Sequence, residues 1–185
     1  TLRIDTLGEL AVFRDGKRLS LPPSKRARAL LSYLALTARP HRRDRLCEVF
    51  WEIPDDPRGA LRWALSKLRS VVNEEGADRL VADRERVELE TSAIEIDTQL
   101  LSSELKNPTL SVERLRAIAD KLREPMLAGI DLPDQALFQQ WLTAEREDAK
   151  RLLGKALGRL AGHVDHPPNK AVAFTREWLE IEPFD

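Results

Sequence analysis

Residues 57–72, PRGALRWALSKLRSVV, are the stretch from which the fold of this chain is most directly predicted. Their apolar side chains recur at intervals of four, three and four residues, which places them on one stripe of an α-helix. The stripe consists of Leu61, Leu65, Leu68 and Val72. Asp56 suits the N-cap of this helix, and Pro57 suits its first position, where a missing N–H costs nothing. The stretch therefore predicts a helix with one apolar side and one cationic side.

The cationic side offers two groups of candidate contact residues. At about 100° per residue, the side chains that point most nearly away from the stripe are Trp63, Lys67 and Ser70, and those on one flank are Arg62, Ser66 and Arg69. Such a helix can lie in the major groove of DNA, where Lys67 can donate to guanine and Trp63 can contact a thymine methyl group. The flank residues suit phosphates. A solvated surface helix has the same pattern, and core packing is the alternative for Trp63.

The neighbouring elements extend this prediction to a whole fold. Short alternating segments in residues 2–21 predict strands, with a hairpin turn at Asp15-Gly16. Ser24 is expected to cap a first helix, and residues 44–51 are expected to form a second. After the helix at 57–72, residues 79–90 alternate on each side of a polar centre, which predicts a β-hairpin. Strands, three helices and a hairpin in this order are the layout of a winged helix.

The distribution of charge supports a polyanionic partner. The net charge of the chain is −1, but residues 14–69 contain 14 Lys or Arg against 6 Asp or Glu. Cations concentrated on one fold are the footprint of nucleic-acid binding. The candidate phosphate contacts outside the third helix are Lys25 and Arg26 at the start of the first helix, and Arg42 and Arg43 beside the second. Arg84 and Arg86 at the tip of the hairpin, the wing, can enter the minor groove.

Signals for other kinds of protein are weak. No apolar run approaches the roughly 20 residues of a membrane span, and a lone cysteine, Cys47, fits a buried position in a reducing, cytoplasmic protein. No catalytic constellation or phosphate-binding glycine loop is present in the sequence. His163 and His166 lack the further ligands that a metal site needs. The sequence therefore predicts no enzyme, no metal and no cofactor.

Residues 1–97 resemble the DNA-binding domain of the Streptomyces antibiotic regulatory protein (SARP) family. The resemblance rests on LGELAVFRDGKRLSLPPSKRARALLSYLAL, DRLCEVFW, RGALRWALSKLR and VADRERVEL, ending at IEID. It implies a winged helix akin to that of response regulators, with bases read from Trp63 and Lys67. It also implies that the indole N–H of Trp51 bonds a phosphate, with core packing as the alternative. The wing departs from the family pattern, because Arg84-Glu85-Arg86 stands where members often have a Gly-Tyr pair.

Residues 98–185 are here called the helical half, and from Ser111 they have an almost wholly helical pattern. Ser111 and Asp134 are expected to cap two of the helices, and the last helix resembles half of a tetratricopeptide unit. From about Met126 the sequence resembles the bacterial transcriptional activator domain of the same family. We therefore predict an α+β winged-helix domain at 1–97 and an all-α domain at 98–185. Because family members continue with another helix, truncation after Asp185 is expected.

The leading functional prediction is a sequence-specific transcriptional activator. The resemblance implies that it binds double-stranded DNA at promoter direct repeats as a homodimer, with the helical half for dimer, effector or RNA polymerase contacts. A protein-interaction scaffold built on tetratricopeptide-like helices is the alternative, since fold does not fix function. A further alternative is that the chain is the regulatory N-terminal part of a larger multidomain protein.

Overall fold

The computed structural model describes residues 1–52, 55–163 and 168–181, and these form a mixed α/β fold. The strands are β1 (Leu2–Asp5), β2 (Ala11–Arg14), β3 (Lys17–Arg18), β4 (His41–Arg42), β5 (Leu80–Ala82), β6 (Arg86–Leu89) and β7 (Ile94–Ile96). The helices are α1 (Lys25–Thr37), α2 (Arg43–Phe50), α3 (Pro57–Val72), α4 (Asp97–Glu104), α5 (Val112–Leu122), α6 (Ala136–Ala161) and α7 (Pro168–Ile181). None of the helices in these ranges is long and apolar enough to cross a membrane.

Helix α3 has the bounds that its sequence predicted. The Asp56 carboxylate accepts a hydrogen bond of 2.8 Å from the N–H of Gly59, and Pro57 occupies the first turn. Every residue of the predicted stripe is at most 1% exposed. At about 1.5–3 kcal/mol for each large apolar side chain removed from water, this stripe anchors α3 to the core. The opposite face of α3 is therefore held in a fixed orientation toward solvent.

The N-terminal strands form one sheet with the order β3-β2-β1-β7. Strands β1 and β2 pair antiparallel, and β1 pairs in parallel with β7. The predicted turn at Asp15-Gly16 joins β2 to β3, with φ angles of 49° and 79° that a two-residue hairpin turn requires. Strand β3 is shorter than the segment KRLSL suggested, since it spans only two residues.

The second sheet has the order β4-β6-β5 and contains the predicted hairpin. The Asp83 carboxylate organises the turn of this hairpin, since it accepts hydrogen bonds of 2.7 Å from the N–H groups of Glu85 and Arg86. These backbone hydrogen bonds hold the pKa of Asp83 below its usual value. The N–H of Arg43 donates to the carbonyl of Glu85 at 2.8 Å, which ties the start of α2 to the hairpin.

The two predicted helix caps of the helical half have different outcomes. Ser111 caps α5 as expected, because its hydroxyl accepts from the N–H of Arg114 at 3.2 Å. The prediction that Asp134 caps α6 is wrong, since the N-cap is Gln135, whose side chain makes no capping bond. Helix α4 was not predicted. His166 lies outside the described residues.

The helical half packs directly on the N-terminal half. The rings of Phe50 and Phe138 lie 5.3 Å apart, and those of Tyr33 and Trp141 lie 4.9 Å apart. The segment before α6 also runs beside the N-terminal sheet, where the Leu127 N–H donates to the Thr6 carbonyl at 2.8 Å. Helices α1 and α2 are thus covered on this side. Trp63 on the outer face of α3 borders this junction, because it lines a groove together with Asp131 and Asp134.

His41 gives a pH-dependent contribution to stability. Its side chain is 3% exposed, and its Nε2 lies 2.7 Å from the Thr37 hydroxyl. Burial, aided by the charge of Arg39, lowers the pKa of His41 from 6.5 to about 4. Because the unfolded chain binds this proton more tightly, stability is full above pH 6.5 and is lost as the pH falls toward 4.

We expect this group to lower the free energy of unfolding by about 3 kcal/mol between neutral pH and pH 4. Urea unfolding at a series of pH values measures the loss of stability. Comparison with a His41→Gln variant separates the part due to His41 from the part due to protonation of carboxylates. The variant should lose about 3 kcal/mol less than the wild type over this interval. Parallel curves for the two proteins would contradict the assignment.

Candidate nucleic-acid interface

The outer face of α3 presents the three side chains that were predicted to point away from the core. Trp63 is 48% exposed, and Lys67 and Ser70 are exposed as well. The Lys67 ammonium lies 5.9 Å from the centre of the Trp63 ring, and the Ser70 hydroxyl donates to the Lys67 carbonyl at 2.7 Å. Core packing of Trp63, the alternative interpretation, does not occur. A base-reading role for these residues stays a prediction.

The flank of α3 consists of Arg62, Ser66 and Arg69, all exposed. Neither guanidinium makes an ion pair or a side-chain hydrogen bond with another described residue. One helical turn separates Arg62 from Ser66, so the flank forms a row beside the outer face. A row of cations and hydroxyls beside a base-facing edge is suited to contact phosphate oxygens.

Carboxylates pair with arginines in both halves of the chain, including Arg45 and Arg58 near α3. In the helical half, carboxylates neutralise the guanidiniums of Arg114, Arg123, Arg146 and Arg151. Around α3 and the hairpin, no ion pair with a described residue is made by Arg42, Arg62, Arg69, Arg84 or Arg86. Guanidiniums without ion pairs around α3 and the hairpin favour a polyanion.

A groove of about 580 Å³ separates the N-terminal part of α3 from the hairpin. Arg43, Arg62 and Arg84 line it together with Arg58. The Arg43 Nε donates to the Asp83 carbonyl at 2.7 Å, so this side chain is partly engaged within the protein. The fold thus brings together cations that are far apart in sequence. Arg86 is exposed at the first residue of β6, beside the tip of the hairpin.

Two predicted phosphate contacts need correction. Trp51 is only 7% exposed and lies beside Phe50, with the ring centres 5.8 Å apart, so core packing is the interpretation that its burial favours. Arg26 forms an ion pair with Asp134, which neutralises its guanidinium. The carboxylate comes from the segment before α6, where no local sequence signal could reveal it. Lys25, the neighbour of Arg26, is exposed.

Arg58 is a residue of this surface to which the sequence assigned no role. It lies in the first turn of α3 and donates to Asp44 of α2 at 2.7 Å. This exposed pair joins the two helices at the mouth of the groove. The sequence could have indicated that Arg58 belongs to this surface, since it follows Pro57 directly and stands away from the apolar stripe.

Outside the surface around α3, the described residues give little basis for metal binding or for a reactive cysteine. No group of three or more His, Cys, Asp or Glu within the described ranges could hold a metal ion. Cys47 is buried, and burial raises the pKa of its thiol above the usual value. A higher pKa lowers the thiolate fraction, so this cysteine is suited to packing rather than to reaction.

Comparison with known proteins supports the fold but does not define a family. No family model and no curated protein matches this sequence. Among solved structures, the fold is similar to that of Mycobacterium tuberculosis EmbR, determined in complex with a low-affinity phosphopeptide. The TM-score is 0.57 at 18% sequence identity. The match covers 100% of this chain and 66% of the EmbR chain. At this identity the likeness concerns the fold alone.

Proposed function

We propose that this chain is a sequence-specific DNA-binding transcriptional regulator of the SARP type. The observation that supports this most is the state of α3. Its apolar stripe is buried, its outer face is open, and unpaired arginines surround that face. A helix fixed from behind with uncompensated cations in front has the properties needed to enter a major groove.

The residues take different roles in this proposal. Trp63, Lys67 and Ser70 read base edges, because they project farthest from the core. Phosphate contacts come from the surrounding polar side chains, Lys25, Arg42, Arg43, Arg62, Ser66 and Arg69. Arg84 and Arg86 of the wing reach the minor groove. Trp51 is omitted because it is buried, and Arg26 because Asp134 neutralises it.

The arrangement in the proposal is a winged helix at 1–97 followed by a helical domain at 98–185. The protein acts in the cytoplasm as an activator and binds promoter direct repeats as a homodimer. The helical half supplies contacts to a second protomer, to an effector or to RNA polymerase. The packing of Phe138 and Trp141 on the N-terminal half supports a role for the helical half in positioning α3.

The proposal is tested by selection from a random-sequence duplex library, followed by affinity measurements on the enriched duplex at several salt concentrations. Because cations displace counterions from DNA, we expect log K to fall against log salt with a slope of about −0.9 for each phosphate contacted. The five proposed cationic contacts would give a slope of about −4.5. A scrambled duplex of equal length serves as the reference for non-specific binding.

An Arg62→Ala, Arg69→Ala double variant should have a slope about 2 units shallower than the wild type, because two phosphate contacts are removed. The matched control is Arg151→Ala, which removes an exposed arginine of α6 that is paired with Asp148. A library that yields no enriched sequence, together with binding that is independent of salt, would reject DNA binding in favour of the scaffold alternative.

A further inference from the structure

A second groove, which the proposed function does not use, lies between the N-terminal sheet and the helical half. Its volume is about 440 Å³, within the range of small-molecule sites. It is lined by the chain leaving β3, by α1 and by residues 128–130. It shares no lining residue with the groove between α3 and the hairpin. Two arginines, Arg18 and Arg28, line it from different elements.

Neither arginine has a partner within the described residues. Arg28 is half-buried, and its Nε is buried without a hydrogen-bond acceptor. Arg18 is exposed and makes no ion pair. Glu9 also lines the groove, but it forms no ion pair with either guanidinium. Two arginines and one carboxylate leave the lining with a net positive charge.

A bound anion would satisfy this donor and balance the positive charge of the lining. A buried N–H without an acceptor costs about 1–3 kcal/mol, and more when the group is charged. Two cations on one groove add repulsion. The Nε atoms of Arg14 and Arg26 are also buried without a hydrogen-bond acceptor, but carboxylates pair with both guanidiniums. The half-buried Arg146 likewise binds both Asp131 oxygens, at 2.8 and 3.0 Å. Among the described residues, no carboxylate pairs with Arg28.

We propose that the Arg18–Arg28 groove binds a small oxyanion of the phosphate-ester class. The planar fork of a guanidinium presents parallel N–H donors that match the oxygens of a phosphate, and two such forks can engage one tetrahedral group. The hydroxyl of Ser20, which also lines the groove, is a further donor. The remaining volume has room for an organic substituent on the phosphate.

The position of the groove gives the anion a structural consequence. Residues 128–130 continue the segment that hydrogen-bonds to the N-terminal half, where the Ala128 N–H donates to the Gly8 carbonyl at 2.9 Å. An anion held by Arg18 and Arg28 would therefore join the sheet, α1 and this segment. It stabilises the contact between the two halves of the chain, and its binding is measurable as stabilisation against unfolding.

The test measures binding of inorganic phosphate to the whole chain by calorimetry and by thermal unfolding, against sodium chloride at equal ionic strength. At about 100 times the dissociation constant, phosphate should raise the Tm by about 5 °C or more. Arg18→Gln and Arg28→Gln should each weaken phosphate binding at least tenfold, because each variant removes about one charge-assisted hydrogen bond. Arg176→Gln, at an exposed arginine of α7, is the matched control and should bind as the wild type does.

Two further measurements separate the possible sources of the anion. Acetate should bind at least tenfold more weakly than phosphate, and equal binding would mean that the groove is a carboxylate site instead. A groove that serves the DNA backbone would leave inorganic phosphate without effect, while Arg28→Gln weakened DNA binding. That result would overturn the proposal, as would stabilisation by phosphate no greater than by chloride. Because the phosphate and acetate measurements need no DNA, they stand apart from the test of the regulator function.

Discussion

Replacement of Asp97 by alanine is expected to lower the free energy of unfolding by about 4 kcal/mol. Asp97 is 8% exposed, and its carboxylate accepts hydrogen bonds from the N–H groups of Thr6, Leu7 and Thr98 at 2.8–2.9 Å. The Thr6 hydroxyl donates to it at 2.7 Å. The alanine variant leaves four donors without their acceptor, and each unmet buried donor costs about 1–3 kcal/mol before relaxation and water entry reduce the sum.

The measurement is urea unfolding of Asp97→Ala, with Asp97→Asn as a graded variant. Asparagine keeps one carbonyl oxygen but presents an amide where Asp97 had a second acceptor, so about half of the loss is expected. Asp55→Ala is the control, because Asp55 is exposed and should change stability by less than about 0.5 kcal/mol. If Asp97→Ala lowered the free energy of unfolding by less than about 1 kcal/mol, water would be replacing the carboxylate as the acceptor for these donors.

The features that could be predicted from the sequence are those that local physics determines. The bounds of α3 follow from a cap, a proline and an apolar period within the helix itself. The turn at Asp15-Gly16 follows from two residues that tolerate positive φ. The exposure of Trp63 follows from its angle to the stripe, which needs no knowledge of the rest of the chain. Each of these predictions is confirmed because every relevant signal lies within a few residues.

The features that were missed depend on contacts between distant parts of the chain. Asp97 bonds Thr6 across 91 positions, and Asp134 pairs with Arg26 across 108. Helix α4 was missed because only three of its eight residues, Asp97, Thr98 and Leu101, are buried, so it has little apolar period. Trp51 follows α2 directly, and its burial depends on how the helix docks. The charges of a candidate interface can thus be enumerated from sequence, whereas their availability depends on the tertiary fold.

The sharpest test of the proposed interface compares two cations on α3. Lys67→Ala should reduce the ratio of affinities for the selected and scrambled duplexes by about 10–100-fold, because a lost base contact costs about 1–3 kcal/mol on the cognate sequence alone. Arg69→Ala should lower both affinities alike and make the salt slope shallower by about 0.9. The difference arises from position, since Lys67 lies on the outer face beside Trp63 and Arg69 lies on the flank.

Dissociation constants on both duplexes at three salt concentrations separate these outcomes. Lys155→Ala is the matched control, because Lys155 is an exposed lysine of α6 in the helical half. It should leave the affinity ratio unchanged. If Lys67→Ala instead weakened both duplexes alike with the slope change expected of Arg69→Ala, Lys67 would be a phosphate contact. The bases would then be read from a different edge of α3, with Arg62 the nearest candidate, because it is exposed and lines the groove toward the wing.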